Sequence, residues 1–141
     1  MVVFAARRPL RCALSLLASP WTLLAGCAAT DATTEEGPSV VSTVPSDGEV
    51  DVDHELGALS VTFSESMGDG WSWVTEAGRS APEVKGFAFY VDEVTNVLPV
   101  HLAPHTSYAI WVNSPDHADL RKFANAQGVS ARAYRIQFET R

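Results

Sequence analysis

From Ser39 onward, apolar and polar residues alternate along the chain. Leu59, Val61 and Phe63 are interleaved with Ser60 and Thr62, Tyr108, Ile110 and Val112 with Ala109 and Trp111, and Tyr134, Ile136 and Phe138 with Arg135 and Gln137. A period of two places one set on each face of an extended segment, so each run predicts a strand with one buried face. Ser39–Val44, Trp71–Thr75, Phe87–Val91 and Val97–Leu102 are further runs of strand length, rich in β-branched and aromatic residues. Turn residues separate them, as in Ser46-Asp47-Gly48 after Pro45, where glycine can take a positive φ. Ala118–Ala126 alone carries a helical pattern, and it is short. The prediction is an all-β domain, an antiparallel β-sandwich of about seven strands.

The first residues follow another pattern. Arg7, Arg8 and Arg11 form a basic opening, and an apolar run from Cys12 to Ala25 follows, interrupted by Pro20. The run falls short of the roughly 20 residues a spanning helix needs, and the arrangement is that of a secretory signal. Arg7-Arg8 stands without the rest of a twin-arginine motif and reads as an ordinary basic start. Leu24-Ala25-Gly26-Cys27 resembles the lipobox of bacterial lipoproteins. The resemblance implies cleavage before Cys27 and attachment of acyl chains, palmitate among them, to its sulfur and new amino terminus. Residues 1–26 are then a lipoprotein signal peptide. Residues 27–38 are the acylated cysteine and a disordered tether, small, polar and acidic, reaching at most about 40 Å. Residues 39–141 form the folded domain. Lipoproteins held at the inner membrane often carry Asp after the cysteine, whereas this chain has Ala28. The implied location is the bacterial cell envelope, lipid-anchored, at the outer rather than the inner membrane.

Removing the signal changes the charge balance. It takes three of the ten basic residues and none of the seventeen acidic ones. The strongly acidic remainder argues against nucleic acid and against adhesion to anionic lipid, so membrane contact is expected through the lipid anchor alone. Cys12 leaves with the signal and Cys27 is acylated, so the domain has neither thiol nor disulfide. Its core must hold it together, and cysteine nucleophiles and cysteine-ligated metals are excluded.

Two segments carry a family resemblance. Pro38-Ser39-Val40-Val41-Ser42-Thr43-Val44-Pro45-Ser46-Asp47-Gly48 precedes Phe63-Ser64-Glu65-Ser66-Met67, and later come Leu102-Ala103-Pro104-His105-Thr106-Ser107-Tyr108 and Phe138-Glu139-Thr140. Together these resemble the SbsA-type bacterial Ig-like domain, across Pro38 to Thr140. The resemblance implies an Ig-like sandwich used as a spacer, adhesive or accessory module, with no shared catalytic residues. In that frame Val40 and Val44 face the core from the first strand, Phe63 plugs it, Met67 fills a gap, and Tyr108 buries its ring with its hydroxyl bonded. The segment from Gly70 to Leu98, with Trp71 and Trp73, departs from the common pattern.

Several constellations could carry chemistry. Asp47, Glu49, Asp51, Asp53 and Glu55 occupy alternate positions, and oxygens gathered from one side of a strand suit Ca²⁺. Carboxylates two apart on a strand are about 6.5–7 Å from each other, so without a bend the run reads as a solvated face that discourages edge pairing. His101 and His105 are separated by Leu102-Ala103-Pro104, which precludes the helix that would aim them at one metal; His54 and His117 are isolated. Trp71 and Trp73 share a strand face. They read as core, by analogy with the buried tryptophan of Ig folds, or, if exposed with Trp111, as a platform for sugar rings. Neither a Gly-x-Ser-x-Gly turn nor a His-Glu-x-x-His pair occurs. The expectation is a non-catalytic, cofactor-free accessory or interaction module partnered by an envelope protein. The alternative is a glycan- or cell-wall-binding lipoprotein using exposed aromatics.

Overall fold

Nine strands lie among residues 36–141, the part of the chain that the computed structural model describes. They are β1 (Val40–Val44), β2 (Glu49–Val52), β3 (Ala58–Phe63), β4 (Trp73–Thr75), β5 (Glu83–Val84), β6 (Phe89–Tyr90), β7 (Thr95–His101), β8 (Ser107–Val112) and β9 (Tyr134–Thr140). One sheet has the order β1-β3-β7-β5, with β6 also paired to β7; the other runs β2-β9-β8-β4. The fold is an all-β sandwich. All seven expected runs contain a strand, although the paired parts of the Trp71–Thr75 and Phe87–Val91 runs are shorter than the alternation suggested.

Three features differ from the sequence expectation. β2 is an additional strand and pairs with β9 in parallel, so the sheets are not wholly antiparallel. The two-residue strand β5 pairs with Val100 and His101. Ala118–Leu120 forms one 3₁₀ turn where a short helix was expected, and none of its residues is buried. Without a buried face, so short a segment has nothing to offset the cost of helix nucleation. Among the described residues, no helix is long and apolar enough to cross a membrane.

The core is built from the alternating sets. Leu59, Val61 and Phe63 of β3 and Leu98 and Val100 of β7 are buried with Ile110 and Val112 of β8 and Ile136 and Phe138 of β9. Fully burying a side chain of this kind contributes about 1.5–3 kcal/mol relative to exposure. Phe63 meets Phe123 at 5.1 Å between ring centroids, and Met67 packs against the core as expected. β1 departs from its predicted face. The register shifts between Val40 and Ser42, which exchanges inward and outward positions beyond the irregularity. Val40 still packs on the core, Thr43 is buried, and Val44 is 52% exposed.

The two late motifs meet at one corner. Tyr108 is buried and stacks on Phe138 at 5.2 Å, and its hydroxyl accepts the Ala103 N–H at 2.8 Å. Thr140 Oγ1 donates to the Ala103 carbonyl at 2.6 Å and accepts the Thr106 N–H at 2.9 Å. These bonds tie the partly exposed turn between β7 and β8 to the end of β9. At the start of the described chain, Pro38 is fully buried and its carbonyl accepts the Arg132 N–H at 2.9 Å, while Glu36 pairs with Arg132. Glu36–Pro38, expected at the end of the tether, are therefore tied to the domain.

Candidate functional site

The two sheets part at one edge. There β4 ends one sheet, and β5 and β6 lie along the outer side of β7 in the other. A cleft of about 490 Å³ opens between them. Trp73, Thr75 and Ile110 form one wall, Leu98 and Val84 the other. Trp71, Lys85 and Phe87 line its solvent-exposed side, and Pro82 and Gly86 complete the lining. This volume lies within the usual range of small-molecule pockets, about 300–1,000 Å³.

The segment after β5 has its amphipathicity reversed. In Phe87-Ala88-Phe89-Tyr90-Val91, the small Ala88 is buried, while Phe87 is 85% exposed and Phe89 and Val91 about half exposed. β6 pairs through Phe89 with Val97 and through Tyr90 with Asn96, a register that turns the larger apolar side chains outward. The exposed Trp71 and Val84 join Phe87 at the cleft, and Phe89 in β6 and Val91 just after it continue its outward alternation as an apolar strip. The alternation of this run was legible in the sequence. The face it presents was not, because that depends on the pairing with β7.

The three tryptophans take different positions. Trp73 is half-buried, packs edge-on against Phe123 at 5.9 Å and 80°, and donates from Nε1 to Asn96 Oδ1 at 2.9 Å. Trp71 is 38% exposed and lies before β4. Tyr90 holds that loop to β6 by donating its hydroxyl to the Gly70 carbonyl at 2.9 Å. Burial, and then the nearby Asp69 charge, push the Tyr90 phenol up to about 12. Trp111 is half-buried on the opposite face of β8 from the buried Tyr108, Ile110 and Val112, opposite Val74 and Arg135. The cleft thus joins Trp71 and Trp73, with Trp111 outside its lining. Lys85, the only cation in that lining, is held by Glu83 at 2.6 Å, and this hydrogen bond keeps the Glu83 carboxyl below its ordinary range.

The acidic run does not converge. Asp51 has φ +60°, at the irregularity between Glu49 and Val52 in β2, so the strict alternation breaks there. Asp47 accepts the Gln137 N–H at 2.8 Å and Glu49 the Ser46 N–H at 2.7 Å. Asp53 accepts the Glu55 N–H at 3.0 Å and an Arg141 N–H at 2.7 Å, which together hold its carboxyl below the ordinary range. Glu55 lies 3.5 Å from His54. His101 ends β7, His105 sits in a turn at φ +51°, and His117 flanks the 3₁₀ turn. Among the described residues, no three or more His, Cys, Asp or Glu side chains are grouped to hold a metal. Cys27 lies outside the described residues.

No family model and no curated protein matches the chain. Among solved structures, it is similar to pieces of the S-layer protein SbsC. The N-terminal part of that bacterial protein matches with 13% identity and a TM-score of 0.46, over 73% of this chain and 23% of that one. A structure of SbsC residues 31–844 matches with 13% identity and a TM-score of 0.45, over 72% and 13%. This chain thus spans less than a quarter of the SbsC structures it matches, and its fold is defined by its own strand order and register.

Proposed function

We propose that the chain is a non-catalytic, lipid-anchored Ig-like interaction module of the bacterial cell envelope, and that the cleft between β4 and β5 with its apolar strip is the docking face. The observation that carries this reading is the outward-facing set Phe87, Phe89 and Val91 beside the cleft. The largest apolar patch on a typical monomer is about 300–600 Å² and is often functional. Leu24-Ala25-Gly26-Cys27 supports acylation at Cys27, and Ala28 favours the outer membrane. A catalytic reading has no support at the cleft, whose lining offers Thr75 and Lys85 but no nucleophile with a base beside it.

The glycan alternative has one point in its favour, the exposed ring of Trp71. Against it, Trp73 Nε1 is engaged by Asn96, which leaves the Trp71 indole N–H, Thr75 and Lys85 as the polar side-chain groups of the lining. Sugar hydroxyls entering that cleft would lose more water contacts than these few groups replace. The lining suits an apolar occupant.

Two measurements test the reading on the full chain. Cys27→Ser should release the protein from membranes, and mass spectrometry of the native protein should find an acylated residue 27 at the amino terminus. An unmodified Cys27 or a retained segment 1–26 refutes the anchor. A photoreactive side chain at position 87 should give adducts in intact cells, while the same group at Val41, 66% exposed on β1 at the far edge of its sheet, should not. No adduct at position 87 refutes the docking face.

A further inference from the structure

We infer that the occupant of this face is a second copy of the chain, paired about a two-fold axis so that Phe87 of each copy enters the cleft of the other. The inference rests on the reading of this surface as a docking face, and it names the partner. A two-fold interface uses the same patch on both copies, so that patch must be complementary to itself. This face meets the requirement in shape. It carries a projecting apolar group, Phe87 at 85% exposure, directly beside an apolar hollow walled by Trp73, Val84, Leu98 and Ile110.

The charge pattern is compatible with this. The strip has the Lys85–Glu83 ion pair, neutral as a unit, at one end and Asp92 and Glu93 at the other. Antiparallel pairing centred near Ala88 brings the Lys85 end of each copy to the acidic end of its partner, whereas a parallel arrangement would set like charges together. The acidic domain has few cations to offer elsewhere. Size agrees as well. Exposed portions of Trp71, Val84, Phe87, Phe89 and Val91 amount to on the order of 500 Å² per copy, taking aromatic side chains at about 150–250 Å² each. Doubled, this reaches the roughly 1,000 Å² expected of a specific interface. Its aromatic centre and mixed-charge ends follow the usual anatomy of such contacts. Anchoring in one membrane would raise the effective concentration of copies and favour a modest interface.

The test uses two differently tagged full-length chains expressed together, with the photoreactive group at position 87 of one. The expected product is an adduct of twice the monomer mass carrying both tags. A Lys85→Glu change in both copies should reduce its yield several-fold, and Asp92→Lys with Glu93→Lys added to that background should restore it. An adduct to another protein, or to lipid, overturns the second-copy inference and leaves the docking face standing. No adduct of any kind overturns both. A two-tag adduct indifferent to the charge reversals overturns the proposed pairing, because self-association would then use another geometry.

Discussion

Asn113 and Phe123 hold each other in both directions. Asn113 Nδ2 donates to the Phe123 carbonyl at 2.8 Å, and the Phe123 N–H donates back to Asn113 Oδ1 at 3.0 Å. Nδ2 also reaches the Ala131 carbonyl at 3.0 Å, and all three residues are buried. The long β8–β9 connection is thereby fastened to the sandwich at two points, which places the Phe123 ring against Phe63 and Trp73. Asn113 itself has φ +54°, a conformation asparagine tolerates better than most residues.

Asn113→Ala should therefore be one of the most damaging polar substitutions in the domain. Each buried group left without a partner costs about 1–3 kcal/mol. The loss comes on top of the strain of alanine at a positive φ. Denaturant unfolding should show a markedly lower midpoint with an unchanged slope. A midpoint near wild type would mean that the connection is held without this residue.

Phe63 ends the alternating face of β3 and is buried against Phe123. Phe63→Ala should cost about 3–5 kcal/mol, removing the ring and leaving a cavity. Against a typical total of about 5–15 kcal/mol, this would unfold much of the protein. An unchanged denaturant midpoint would refute the placement.

The burial of Phe63 was legible because the polar Ser60 and Thr62 leave β3 only one face to bury, and that of Tyr108 because it leads the bulkier apolar set of β8, although Ala109 on the other face is buried as well. Val44 was misplaced because the irregularity in β1 is a property of its pairing with β3 and leaves no local mark. β2 was read as a solvated strand face from the alternating acids but was not counted among the seven strands. Glu49, Val50 and Asp51 are all exposed, so this strand, paired in parallel at the sheet edge, has only Val52 to mark a buried face, and its pairing with β9 left no signal in the sequence. For the candidate site, Trp71 and Trp73 stood out by composition. Phe87 and Val84 did not, since the cleft is made by the meeting of two sheet edges distant in sequence.

Acid should weaken the tie between β4 and β9. Arg135 donates from Nε and Nη2 to the two carboxylate oxygens of Glu76 at 3.1 and 2.7 Å, and this pairing, with the charges of Arg135 and Arg79, holds the Glu76 carboxyl below its ordinary value. A carboxyl lowered in the folded state contributes stability above its unfolded value, near about 4.3, and loses it as pH falls through the folded value. Wild type should therefore lose more melting temperature than Glu76→Gln as pH is lowered from about 5 through that range. The pair is partly exposed, so the difference should be modest and should shrink in high salt. Parallel pH profiles would show that the pairing adds nothing to the fold.

Trp73 and Asn96 offer a test of how the cleft wall is fixed. Asn96 is fully buried, its Oδ1 accepts from Trp73 Nε1 at 2.9 Å, and its Nδ2 has no partner. The indole donor determines which way the amide lies, because a flip would set two donors against each other. Trp73→Phe removes the donor while leaving an aromatic ring, and should cost at least the roughly 1–3 kcal/mol of an unpaired buried acceptor. Asn96→Leu alone strands only the indole N–H and also removes the unpaired Nδ2, so its cost should be smaller. The double variant Trp73→Phe/Asn96→Leu has no buried polar atom at either position, and should be more stable than the sum of the single losses predicts. A double-mutant cycle by denaturant unfolding measures that coupling directly. Strict additivity would mean that packing, and not this hydrogen bond, holds Trp73 at the wall of the cleft.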